Sequence, residues 1–196
     1  KANPVLVLCN NSNASGIDRA AERGIRTVVV DHRPHGEDRA AFDAELQRAL
    51  LAHKVDAVCL AGFMRVLTTP FVEFWAGRML NIHPSLLPKY RGLHTHQRAI
   101  EAGDTEAGCT VHLVTPQLDV GPILGQRRVP IHANDTAETL ARRVLAEEHI
   151  LYPKALSQFV SNMADKPSSI RNVGPAGDAF FGRAGITTAA QLRALG

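Results

Sequence analysis

The sequence predicts an α/β fold: an open, mostly parallel, twisted sheet with helices on both faces, plus a short helical C-terminal tail. Two observations carry this prediction. Strand-length apolar runs alternate with segments of helical period from Val5 to His83, the rhythm that βαβ units with right-handed crossovers produce. The run "DAVCLAGF" (Asp56 to Phe63) is apolar on both of its faces, as a parallel strand buried between two helix layers requires.

The elements follow in order. Val5 to Cys9 reads as a strand, and "SGIDRAAERG" as a short helix with Ser15 as N-cap and Gly24 as stop. "RTVVVD" is the next strand. "EDRAAFDAELQRALLAHK" is an amphipathic helix with Phe42, Leu46 and Leu50 on one face. After "DAVCLAGF" come a short helix, "PFVEFWAG", and the strand "RMLNIH". "HTHQRAIEAG" reads as a helix. "CTVHLVT" alternates, with Thr110, His112 and Val114 on one face and Cys109, Val111 and Leu113 on the other. "PQLDVGP" is a loop and "ILGQRRVPI" a further strand, so this pair extends the sheet in antiparallel or mixed fashion. "DTAETLARRVLAEEHILYPKALSQFV" is a long helix capped by Asp135 or Thr136, with Leu140, Val144, Leu151 and Phe159 as its buried stripe. From Asn162 the composition shifts to loop residues and two short helical pieces. The expected organisation is therefore a body over 1–161 and an appendage over 162–196.

Composition narrows the function classes. At 196 residues with 45% hydrophobic and 21% charged residues, the chain is of ordinary globular make-up. A net charge of +3 without a Lys/Arg block suits an anionic small molecule and does not call for nucleic acid. The three cysteines, Cys9, Cys59 and Cys109, have no metal-type spacing and read as buried reduced thiols of a cytoplasmic protein. No apolar run approaches the roughly 18 residues of a membrane span.

Chemistry concentrates at the end of "RMLNIH". Open α/β sheets bind ligands beyond the carboxyl ends of their strands, and Asn81 and His83 lie at such an end. Each polar residue has a plainer reading on its own: Asn81 can satisfy backbone groups, His83 can be a hydrogen-bonded core histidine, and Asp119 in "LDVG" can be a turn residue. Together, an amide, an imidazole and a carboxylate can act without a metal. The amide donates to a developing oxyanion, the imidazole polarises or moves a proton, and the carboxylate keeps the imidazole oriented and cationic. Such a set suits acyl transfer to an amine. Glu148 falls on the apolar stripe of the last helix, where a carboxylate is costly unless paired or used. His94 and His96 diverge at a helix start, and no metal site is expected there. His112 faces the same side as Thr110 and either lines the site or is a satisfied sheet histidine. Lys89 and Arg91 in "PKYRG" read as a solvated basic turn.

"LAGFMRVL" (Leu60 to Leu67), the block from "NIHPSLLPKYRGLHTHQRAIEAG" through "DVGPIL" (Asn81 to Leu124), and "EEHILYP" resemble the phosphoribosylglycinamide formyltransferases, folate-dependent enzymes of purine synthesis with a Rossmann-like fold. The likeness runs from about Pro4 to Val160. "GFM" and "GLHTH" favour this family over methionyl-tRNA formyltransferase, where "RGAAP" is typical, and "NIHPSLLP" favours it over formyltetrahydrofolate hydrolase, where "NIHHSFLP" is typical. The resemblance implies that Asn81, His83 and Asp119 catalyse formyl transfer from 10-formyltetrahydrofolate to the amine of glycinamide ribonucleotide, with no metal. It implies a folate pocket bordered by Phe63, Met64, Arg65, Val66 and Leu67, closed by Gln117, Leu118 and Val120, with Arg39 touching folate or ribonucleotide. Glu148 would contact the ribose, and His112 and Thr110 would line the substrate side. Hydrolysis of the same donor is the nearest alternative.

The family pattern opens with a strand and a glycine-rich "GxGSN" loop that cradles phosphate. Pro4 aligns beyond both, so a native reading frame with that strand and loop upstream is expected. "SSIRNVGPAGDAFFGRAGITTAAQLRALG" resembles the start of the C-terminal domain of TfoX-type regulators; it lacks a dense basic cluster, so a nucleic-acid-binding tail on an inactive body is the alternative of another class. A monomer or homodimer is expected.

Overall fold

The computed structural model describes residues 2–164. The expected helical pieces at 174–185 and 187–196 lie outside these residues. The described residues fall into two units, Asn3–Tyr152 on the one hand and residues 2 and 153–164 on the other. The first carries the sheet.

The chain order is β1 (Val7–Cys9), α1 (Ser15–Ala21), β2 (Thr27–Val29), a 3-10 turn (Arg33–His35), α2 (Arg39–Ala52), β3 (Val58–Leu60), α3 (Thr69–Phe74), β4 (Met79–His83), α4 (Thr95–Glu101), β5 (Glu106–Leu113), β6 (Ile123–Pro130) and α5 (Ala137–Ala164). β1 pairs with β2 in parallel, and separately β3, β4, β5 and β6 form a sheet in that order. The β3–β4 pair is parallel, and β4–β5 and β5–β6 are antiparallel. The mixed extension expected from the alternation of β5 is thus realised.

Local chemistry explains most boundaries. The Asp38 carboxylate accepts from the Ala41 N–H at 2.9 Å and starts α2. Thr136 and Thr139 cap α5 reciprocally: Thr139 N–H donates to Thr136 Oγ1 at 3.2 Å and Thr136 N–H to Thr139 Oγ1 at 2.9 Å. Asp135, the other expected cap, is instead held by Arg143. The expected Ser15 cap is not made. Ala14 is the N-cap, without a side-chain bond, because the turn at Asn11 delivers Ser15 already helical.

One face of the sheet packs on α2 and α3. Phe42, Leu46 and Leu50 meet Phe71, Val72, Trp75 and Met79 in one buried cluster, each large apolar side chain contributing about 1.5–3 kcal/mol by burial. Trp75 is fully enclosed, and its Nε1–H donates to Gln47 Oε1 at 2.8 Å. The other face meets α5, whose Leu140, Val144 and Leu151 are buried. Leu151 there lies against Gly125 of β6. The Tyr152 hydroxyl donates to the Leu60 carbonyl at 2.8 Å. The cysteine expectation holds only for Cys109. Cys9 is half-buried and Cys59 is exposed.

Candidate active site

β4 changes character along one face: Met79 is core, Asn81 is half-buried, and His83 is a buried imidazole. Pro84 then ends the strand. Pairing with β5 sets Asn81 opposite His112 and His83 opposite Thr110. Opposed residues of an antiparallel pair share a face, so register alone puts an amide and two imidazoles side by side.

Asp119 arrives from the loop between β5 and β6. It is buried, and its backbone adopts φ +54°, a left-handed conformation that Asp tolerates better than most residues. Gly121 makes the approach possible: a Cβ there would meet the Leu113 carbonyl oxygen at 1.9 Å. The Leu113 N–H donates to the Pro122 carbonyl at 2.9 Å and pins the loop to the end of β5. The carboxylate lies 3.5 Å from His83 Nδ1 and 3.6 Å from His112 Nε2, and accepts from the Gly92 N–H at 2.8 Å. Burial alone would push its pKa up. The His112 ring, the Gly92 N–H and the charges of His83 and His112 outweigh burial and hold the carboxyl below the ordinary carboxylate range.

Backbone carbonyls fix both tautomers. A carbonyl only accepts, so the 2.9 Å contact to the Tyr90 oxygen requires a proton on His83 Nε2, leaving Nδ1 to face Asp119. The 2.8 Å contact to the Leu113 oxygen requires a proton on His112 Nδ1. In the uncharged form of the ring, His112 Nε2 accepts from Asn81 Nδ2 at 3.3 Å. That bond occupies one amide hydrogen of Asn81 and leaves the other to donate elsewhere.

The loop after β4 holds the imidazole from behind. Ser85 Oγ donates to the Lys89 carbonyl at 2.7 Å, and Thr95 Oγ1 to the Pro84 carbonyl at 2.7 Å. Thr110 serves this loop: its hydroxyl donates to the Ser85 carbonyl at 2.6 Å and accepts from Leu87 N–H and Gln126 Nε2. Its hydroxyl is therefore occupied by that loop and by Gln126 of β6. A cavity of about 330 Å³ behind the loop is lined by Ser85, Tyr90, His96, Asp104 and Gln126, among others, and by none of Asn81, His83 and Asp119. His96 Nε2 is buried and unpartnered among the described residues; burial first, then the charge of His83, lowers the pKa of this ring.

The expected folate-side residues occupy the same carboxyl edge. Phe63 and Leu67 pack against the core, and the Phe63 ring stacks on Phe42 with centroids 6.5 Å apart. Met64 and Val66 are exposed, at 72% and 53%, with Arg65 half-buried between them. Leu118 and Val120 are exposed on either side of buried Asp119, and Gln117 is exposed beside them. Apolar side chains left in solvent beside a polar cluster suit a flat, partly apolar ligand. Arg39 is exposed at the first residue of α2, one turn before Phe42. Glu148 is half-buried on α5. Burial pushes its pKa up, and its charge in turn helps raise Cys109, on the opposite face of β5 from His112, to about 12 after burial. Neither Arg39 nor Glu148 bonds to the Asn81–His83–Asp119 cluster.

Sequence reasoning missed Tyr90, Gly92 and Gly121. Tyr90 and Gly92 act through the backbone, which leaves no side-chain signature. Gly121 did carry a signal: a glycine two residues after an acidic turn residue marks a close backbone approach.

The formyl transferase family profile matches residues 1–156. The chain is 46% identical over 153 residues to the phosphoribosylglycinamide formyltransferase of Escherichia coli K12, covering 78% of this chain and 72% of that protein. It is 48% identical over 163 residues to the trifunctional purine biosynthetic protein adenosine-3 of Drosophila melanogaster, covering 83% of this chain and 12% of that much longer protein. Its fold matches the solved phosphoribosylglycinamide formyltransferases of Coxiella burnetii, with TM-score 0.74, 46% identity and coverage of 80% and 74% of the two chains. For that of Brucella melitensis the TM-score is 0.73, with 50% identity and 79% of both chains covered. The match spans the sheet, the β4 end and the Asp119 loop alike, and the chain belongs to the formyl transferase family.

Proposed function

We propose that the chain transfers a formyl group from 10-formyltetrahydrofolate to the primary amine of glycinamide ribonucleotide. The observation that supports this most is the approach of Asn81, His83 and Asp119 to one point at the carboxyl end of β4, with the two histidine tautomers set by carbonyls. The amine nitrogen forms a bond to the formyl carbon, and the carbonyl pair moves onto oxygen. The free amide hydrogen of Asn81 and a protonated His83 Nδ1 donate to that oxyanion. Asp119, directly or through water, takes the proton the amine gives up. When the intermediate collapses, the bond to the folate nitrogen breaks, the nitrogen keeps the pair, and it receives the relayed proton.

In this reading Phe63 to Leu67 and Gln117 to Val120 hold the heterocycle, and backbone groups around Arg65 and Leu67 supply its polar contacts. Glu148 reaches the ribose hydroxyls, and Arg39 contributes to either ligand. His112 orients Asn81. No metal takes part. The protein acts in the cytoplasm as a monomer or homodimer; no helix among the described residues is long and apolar enough to cross a membrane.

Product analysis tests the reading. Incubation with 10-formyltetrahydrofolate and glycinamide ribonucleotide should yield formylated ribonucleotide in step with deformylated folate. Free formate with unmodified ribonucleotide would overturn it in favour of hydrolysis.

A further inference from the structure

The proton on His83 Nε2 depends on a carbonyl that belongs to an improbable backbone. Tyr90 adopts φ +56°, and its neighbours Gly92 and His94 have φ +76° and +58°. A left-handed conformation at an aromatic residue is unfavourable and persists only where surroundings over-determine it. What holds Tyr90 is its own side chain. The phenol donates to Asp104 Oδ2 at 2.7 Å. The Arg98 guanidinium lies over the ring at 5.2 Å from its centroid, and Arg98 also donates to the Arg91 carbonyl at 2.7 Å. Asp104 sits just beyond α4, where its N–H donates to the Ala99 carbonyl at 3.1 Å, and it also takes Lys89 Nζ at 2.8 Å. The ring is thus anchored to a rigid helix end while its backbone faces the imidazole.

We propose that Tyr90 and Asp104 form a positioning clamp: the phenol–carboxylate bond and the Arg98 stack hold the Tyr90 carbonyl against His83 Nε2–H, and so fix which imidazole nitrogen faces the reacting atoms. Neither side chain touches the triad. They act through one carbonyl, as outer partners that orient an imidazole commonly do. Lys89 shares Asp104 and also lies over the Tyr90 ring, 5.8 Å from its centroid, so it belongs to the same cluster.

The clamp's effect on turnover rests on the formyl-transfer reading; its effect on the tautomer does not. The test is nitrogen-15 NMR of the histidine rings in the full protein and in Tyr90→Phe and Tyr90→Gly, with kcat and KM measured in parallel. Glycine keeps the left-handed backbone available and removes the anchor, so Tyr90→Gly reports even where Tyr90→Phe retains the ring by its Arg98 stack. Wherever the native His83 ring is uncharged, its single proton should sit on Nε2. Tyr90→Gly should show mixed tautomers and a kcat about 10-fold lower or more, with KM for both substrates within about twofold. A native-like His83 signature and native kcat in both Tyr90 variants would overturn the clamp while leaving the proposed reaction standing. Loss of the tautomer in a protein that forms no formylated product would leave the clamp standing and sink the proposed reaction.

Discussion

Asp119→Asn isolates the charge of the site from its shape. The carboxylate lies 3.5 Å from His83 and 3.6 Å from His112 and is nearly closed to solvent. At an effective dielectric of about 20, an imidazolium at such a distance interacts with a carboxylate by about 4–5 kcal/mol. Burying the carboxylate offsets several kcal/mol of that, so the folded state should gain or lose only about 1–2 kcal/mol when the charge is removed. Asparagine preserves volume, and its carbonyl can still accept from Gly92. What disappears is the counter-charge of the imidazolium and the acceptor for the amine proton. General-base loss of this kind lowers kcat by about 10²–10⁴-fold, with KM little changed. The assay is initial-rate formation of formylated ribonucleotide at saturating donor, beside circular dichroism of the variant. A folded Asp119→Asn protein with kcat within about threefold of native would refute the role given to this carboxylate.

Three further outcomes follow from the same geometry. The Asp119 carboxyl is held below the ordinary range in the folded protein, so it binds fewer protons folded than unfolded; its stabilisation is present above the ordinary carboxylate pKa and is lost as pH falls through the folded value. Denaturation midpoints measured from neutral into acid pH should therefore fall less steeply for Asp119→Asn than for the native chain, and parallel curves would contradict this. Gly121→Ala places a Cβ 1.9 Å from the Leu113 oxygen, and should destabilise by about 1–3 kcal/mol and displace the Asp119 loop; thermal melts that match native would show the loop free to yield. Thr110→Val removes the hydroxyl that serves Ser85, Leu87 and Gln126, and should cost roughly 2–4 kcal/mol in chemical denaturation without raising KM, whereas a raised KM at native stability would make Thr110 a substrate contact.

The sheet was legible in the sequence because its strands are short apolar runs between helices of clear period. The polarity change from Met79 to His83 marked the strand end as a site, and the alternation of β5 put His112 and Thr110 on one face. What the residues could not disclose is how three chain segments meet. Asp119 reads as a turn residue until the left-handed backbone and the close approach at Gly121 fold it inward. Thr110 and His112 look equivalent by alternation, yet register sets one beside Asn81 and the other beneath the loop after β4. Tyr90 carries no sign of its role, since only its carbonyl reaches the site. Cys59 shows the opposite failure: an apolar run implied burial, but its side chain is exposed.

The reaction proposed for this site requires a bound formyl oxygen between the Asn81 amide and His83 Nδ1. A crystal structure of the protein with a non-transferable 10-formyl folate analogue tests it most directly. That oxygen should lie within about 3 Å of Asn81 Nδ2 and of His83 Nδ1, with the pterin against Met64 to Leu67 and Leu118. A well-ordered analogue whose formyl group lies away from both groups would contradict it.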